Sequence, residues 1–249
     1  GAINYFSFTN DTADMSLENY PTIEDLVISP DGRYIYASNG TRDVFVWDIQ
    51  TKKKETSLSS PSFINRLSLS NNKQWLLTGG GERSVYLWDL FESKNVSSFP
   101  NPGAAVTGFD FSNDDKFVII GLSNGVIKIF AMPAGKEEYS KIHVPLQTIN
   151  AYGEKILSID AAPDQTIFAS GNQQEGLKIW DFRGENIFSP NESRGGIDDI
   201  YLSNDGLWLA SSHEGGLLRV WNVREGKEAY PPVDGYLSKG APFSPDNRF

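Results

Sequence analysis

Any chemistry in this chain of 249 residues has to be built from two histidines, His143 and His213, and from scattered carboxylates and hydroxyls. Cysteine is absent, so thiol nucleophiles, thiolate metal ligands and disulfides are all removed at once. A serine nucleophile needs a base held beside it. Neither histidine accompanies a G-x-S-x-G elbow. His143 falls in an insertion and His213 just before Glu214-Gly215-Gly216, so both read as surface or loop positions. The carboxylates lack EF-hand spacing, and Gly79-Gly80-Gly81 is followed by no Gly-Lys-Ser/Thr, which makes it a turn rather than a phosphate cradle. Glu24-Asp25 and Asp198-Asp199 are the acid pairs that acid–base catalysis would use. With no pocket visible around them they read as solvated carboxylates. The expectation is no catalytic residue, no metal and no cofactor.

Charge narrows the partners. The balance of 22 Lys+Arg against 32 Asp+Glu gives a formal charge of −10. That field repels phosphate, so neither nucleic acid nor an anionic membrane is an expected partner. A composition of 39% hydrophobic and 22% charged residues belongs to an ordinary globular protein. No apolar run approaches the length of a bilayer span. The first residues have neither the basic nor the apolar region of a signal peptide. A cytoplasmic location is expected.

The elements that would position side chains come from a repeat. Five segments share one ending, at Trp47, Trp88, Phe130, Trp180 and Trp221, spaced 41, 42, 50 and 41 residues apart. One residue before each stands Val46, Leu87, Ile129, Ile179 or Val220, and two residues earlier Val44, Val85, Ile127, Leu177 or Leu218. This period of two is a strand with a buried face. Upstream, five turns (29–34, 70–75, 112–117, 162–167 and 203–208) each lie between an apolar strand and an aromatic or Ile that starts another. A weaker fourth strand is expected near Glu55–Leu58, Asn95–Phe99, Leu146–Ile149, Asn186–Phe188 and Glu228–Tyr230. Four antiparallel strands recurring about every 41 residues cannot bury both faces alone, so the units must stack.

In repeat length, in the pairs Trp47-Asp48, Trp88-Asp89 and Trp180-Asp181, and in the Ser-Pro-Asp-Gly type of turn, the chain resembles the WD-repeat (WD40) β-propeller family. The resemblance covers about residues 22–249. It implies an all-β propeller of four-stranded antiparallel blades, five of them complete, after an N-terminal strand or linker at 1–21. APFSPDNRF (241–249) matches the opening of a sixth blade, which leads to the expectation that the polypeptide continues past Phe249; the alternative is an open, truncated array. Two family features are missing. No Gly-His precedes the first strand, and the position six before each aromatic, usually Asp, holds Thr41, Glu82, Asn124, Gln174 or Gly215. A thin hydrogen-bond network within the blades is therefore expected. Residues 132–145 form an insertion, expected to join the third and fourth strands of blade 3 on the face of the Ser-Pro-Asp-Gly turns, with Tyr139 and His143 as minor docking candidates.

In such a propeller the first strand of each blade lines the axis. The residues at its start are Glu24-Asp25, Asn65-Arg66, Thr107-Gly108, Leu157-Ser158 and Asp198-Asp199, followed inward by Val27, Ser68, Asp110, Asp160 and Tyr201. The set holds six carboxylates and Arg66. Such a rim attracts a protein or peptide with a basic surface. The candidate contact residues are Glu24, Asp25, Asn65, Arg66, Thr107, Leu157, Asp198 and Asp199. The function that follows is a non-enzymatic scaffold for protein–protein contacts, part of a larger polypeptide or complex. Two alternatives stay open: the sensor or gating propeller of a larger enzyme, such as a signalling ATPase or hydrolase, and hydrolysis by the channel carboxylates.

Overall fold

In the computed structural model the described residues are 3–5, 15–17, 23–55, 57–80, 83–100, 103–141, 144–162, 167–190, 196–203, 205–235 and 243. Five antiparallel sheets follow one another along the chain, each running from an inner first strand to an outer fourth. The first strands are Asp25–Ile28, Arg66–Leu69, Val106–Phe111, Ser158–Ala161 and Ile197–Leu202. Third strands carry the repeated aromatic: Asp43–Asp48, Ser84–Asp89, Val126–Ala131, Gly176–Asp181 and Leu217–Asn222. Fourth strands are continuous in blades 2 to 4 but split in blade 1 (Lys53–Lys54, Leu58–Ser59) and blade 5 (Lys227–Glu228, Val233–Asp234). First strands of consecutive blades touch, and those of all five face one central channel. The architecture is a β-propeller.

Repeated polar ties explain why each turn folds as it does. The Ser29 hydroxyl donates to Asp31, which in turn accepts the Arg33 N–H, while the Tyr34 N–H donates back to Ser29 Oγ. The same set recurs at Ser70/Asn72/Trp75, Ser112/Asp114/Phe117 and Ser203/Asp205/Trp208. The Asp after the Trp caps the next turn: Asp48 accepts the Thr51 N–H, Asp89 those of Phe91 and Glu92, and Asp181 those of Arg183 and Glu185.

Within the blades the polar network is built around the indole N–H of the repeated Trp. Trp88, Trp180 and Trp221 donate their indole N–H to Thr78, Ser170 and Ser211. In blade 4 the buried Tyr152 hydroxyl lies 2.9 Å from Ser170 Oγ. In blade 5 His213 Nε2 lies 2.9 Å from Ser211 Oγ. His213, expected in a loop, ends the second strand and is only 4% exposed. Gly215 and Gly216, both at positive φ, turn the chain just after this strand end, which is why its sequence neighbourhood reads as a loop.

The insertion is not all loop. Lys136–Lys141 form a 3-10 helix on the turn face, where the Tyr139 ring meets Trp75 edge-on at 5.9 Å and the Tyr139 carbonyl accepts the Ser97 hydroxyl. Tyr139 is thus spent on the chain's own blades 2 and 3. His143 and Glu82 lie outside the described residues, as does the sixth-blade match apart from Phe243, which is buried. Near the N-terminus, Ile3–Tyr5 pairs with Met15–Leu17 in a separate two-stranded ribbon.

Candidate interaction face and central channel

Alternation along the first strands decides which predicted residues reach the axis. In four of the five adjacent pairs only the second residue faces the channel: Asp25, Arg66, Ser158 and Asp199, together with Val27, Ser68, Asp110, Asp160 and Tyr201 deeper in, line a cavity of about 510 Å³, whereas Gly108 of the remaining pair does not. Glu24, Asn65, Thr107, Leu157 and Asp198 do not line it. Glu24 is half-buried beside Gly40, and Asn65 is exposed beside Gly80. The Leu157 N–H is bound to Gly171 O. Thr107 and Asp198 are the extra residues of β-bulges, where the register steps from Val106 to Gly108 and from Ile197 to Asp199. Asp198 is exposed on the face where the channel opens, and Thr107 is half-buried with its hydroxyl unpaired among the described residues.

The channel carboxylates stitch blade to blade. Asp25 Oδ2 accepts the Leu67 N–H of blade 2 at 2.7 Å. The Ser68 hydroxyl of blade 2 donates to Asp110 of blade 3 at 2.6 Å, and Asp110 accepts the Ala161 N–H of blade 4 at 3.0 Å. Asp160 of blade 4 accepts the Leu202 N–H of blade 5 at 2.6 Å. The Ser158 hydroxyl donates to Asp199, whose other oxygen accepts the Tyr201 hydroxyl at 3.0 Å. Ser68 and Asp110, and Ser158 and Asp199, stand one repeat apart, 42 and 41 residues, and the structure makes each pair a blade-to-blade bond.

Two of these acids, Asp110 and Asp160, lie half-buried deeper in the wall. Burial pushes Asp110 up, and burial together with the charge of Asp110 pushes Asp160 up well beyond the usual carboxylate range. A hydrogen bond joins the two side chains, and it favours the proton on Asp160 and the charge on Asp110. The two carboxyls therefore titrate as one coupled pair, with Asp160 taking the proton ahead of Asp110. Arg66 reaches across blade 3 and donates to the Leu157 carbonyl of blade 4 at 3.2 Å. At the matching position blade 3 has Gly108, where a Cβ would meet Ile159 at 2.8 Å. The six carboxylates counted from sequence are thus mostly structural, and the channel is less negative than their number implies.

The exposed acids lie elsewhere on the same end of the propeller. Glu154 sits in the loop entering blade 4, Glu175 and Glu214 in the turns between second and third strands of blades 4 and 5, and Asp198 at the start of blade 5, all exposed. Contacts hold these loops together: the Gln174 amide donates to Glu154, the Gly153 N–H to Glu175 and the Glu214 N–H to the Gly196 carbonyl. Sequence reasoning missed Glu154, Glu175 and Glu214; the signal that could have found them is their place before a first strand or between second and third strands, which is the end of the blade where Asp198 begins its own strand. On this face Lys178 pairs with Glu175 at 3.0 Å and lies over the Tyr152 ring, and Lys155 is exposed.

Comparison with known proteins agrees with this architecture. The model of the WD domain, G-beta repeat, matches residues 52–89, 93–130 and 184–222. No curated protein sequence matches the chain. Each matched stretch runs from the fourth-strand region of one blade to the end of a third strand, and the five sheets continue the same pattern outside them. The chain carries WD repeats at these three positions.

Proposed function

We propose that this chain is a non-enzymatic scaffold that docks a basic segment of a partner protein on the loop face of blades 4 and 5, beside the channel mouth. WD40 repeats are a protein-interaction kind of domain, and proteins built from them are in general scaffolds. The observation that carries the finer reading is the cluster of four exposed carboxylates, Glu154, Glu175, Asp198 and Glu214, against Lys155 and the already paired Lys178. Clustered charge of one sign steers an oppositely charged partner and sets its register. Glu24 stands at blade 1, half-buried and apart from this cluster, whereas Asp25 and Asp199 contribute through the shape they give the channel.

The test is capture of partners from source-cell lysate by the wild type and by a variant carrying Glu154→Lys, Asp198→Lys and Glu214→Lys. The reading expects a discrete partner that salt releases and that the variant fails to hold. Equal capture by a folded variant would move the interface to another surface.

A further inference from the structure

On the opposite end, where the Ser-x-Asp turns lie, the seams between blades 1 and 2 and between blades 2 and 3 are built from corresponding positions but finished differently. At the second seam Phe99 and Phe111 fill the interior, Met132 packs beside them, and Tyr139 of the insertion closes the top over Trp75. Lys136, three residues before Tyr139, forms an ion pair with Glu92 at the lip. Residues three apart on a 3-10 helix share a face, so aromatic and ammonium enter together.

At the first seam the same positions hold the smaller Leu58 and Leu69, with Leu90 for Met132, and no insertion covers them. The result is a groove of about 480 Å³ walled by Tyr34, Tyr36 and Val46 as well, with Phe91 standing 78% exposed at its lip. Its charge favours a cation. Glu55 is exposed and unpaired among the described residues, and Asp31 is kept ionised, its carboxyl held at about 2 by the Ser29 hydroxyl first and then by the Arg33 N–H. Against these two carboxylates stands Lys73, 3.4 Å from Asp31. Burial pushes the Tyr36 hydroxyl up to about 12, so it stays a donor in the wall.

We infer that the groove between blades 1 and 2 receives a segment of a partner protein carrying an aromatic side chain three residues after a basic one, as Tyr139 and Lys136 fill the neighbouring seam. The aromatic ring covers Leu58, Leu69 and Leu90, and the cation lies at Glu55. This surface is at the other end of the strands from the acidic loop face and does not depend on it.

The experiment uses the whole chain with labelled Leu and Val methyl groups and a peptide of residues 132–145 as probe. The inference expects saturable movement of the Val46, Leu58, Leu69 and Leu90 methyl signals, with Leu77 and Leu87 of the filled seam unmoved. A peptide with Tyr139→Ala moves none of them. Phe91→Ala or Glu55→Lys in the protein, both at exposed positions, weakens binding by about threefold or more. Absence of saturable movement at millimolar peptide overturns the inference, as does equal movement with the Tyr139→Ala peptide. A concentration-dependent dimer of the free protein, abolished by Phe91→Ala, also overturns it by making a second copy the occupant.

Discussion

Asp198 and Asp199 are neighbours in the chain and belong to two regions that use the same side chain in opposite ways. Asp199 faces the channel wall and binds Ser158 of the preceding blade. Asp198 is pushed out by a bulge onto the open loop face. In the wall, burial makes a carboxylate worth its hydrogen bonds and penalises its charge, so the carboxyls of Asp110 and Asp160 are both pushed up. On the loop face, water screens the charge from its own fold and leaves it to act on partners. Counting acidic residues along a first strand therefore overstates the field at the axis.

The difference can be broken most forcefully in the wall. Asp110→Ala strands the Ser68 hydroxyl and the Ala161 N–H and removes the side-chain partner of Asp160 at once. A loss of about 3 kcal/mol is expected in urea unfolding. Asp25→Ala removes one bond between blades, to the Leu67 N–H, and should cost about 1–2 kcal/mol by the same measurement.

A pH series sharpens the contrast. The Asp160 carboxyl is raised in the folded state, so the native protein holds this proton more tightly than the unfolded chain does. Its contribution is fully present at acid pH and is lost as pH rises from the ordinary carboxylate range through the folded value. Asp160→Asn, which retains an acceptor for Leu202 and a donor for Asp110, should flatten this part of the thermal-stability profile. An unchanged decline over that range would show that Asp160 is not the group responsible. The smallest stability effect belongs to the loop face: Glu154→Lys with Glu214→Lys should shift unfolding by less than about 0.5 kcal/mol while changing the salt dependence of partner binding.

Much of the fold was legible because apolar alternation and the Trp column report directly on buried strand faces. The columns at Val46, Leu87, Ile129 and Ile179 are all buried in third strands, as their period requires. What was not legible depended on single-residue shifts. A bulge at Thr107 or Asp198 changes which side chain faces the axis without altering the apolar pattern. His213 and Tyr152 stand in the blade cores at positions a motif search does not inspect, each next to a Ser that also binds a Trp. The docking of Tyr139 on Trp75 joins residues of different repeats, which no local pattern encodes.

The most direct test is the unfolding free energy of Asp199→Lys set beside that of Asp198→Lys. If the wall is structural and the loop face is not, Asp199→Lys loses about 2 kcal/mol or more, through the Ser158 and Tyr201 hydroxyls it strands, and Asp198→Lys stays within about 0.5 kcal/mol of wild type. Equal losses at the two positions, or a greater loss at Asp198, would contradict the division between the wall and the loop face.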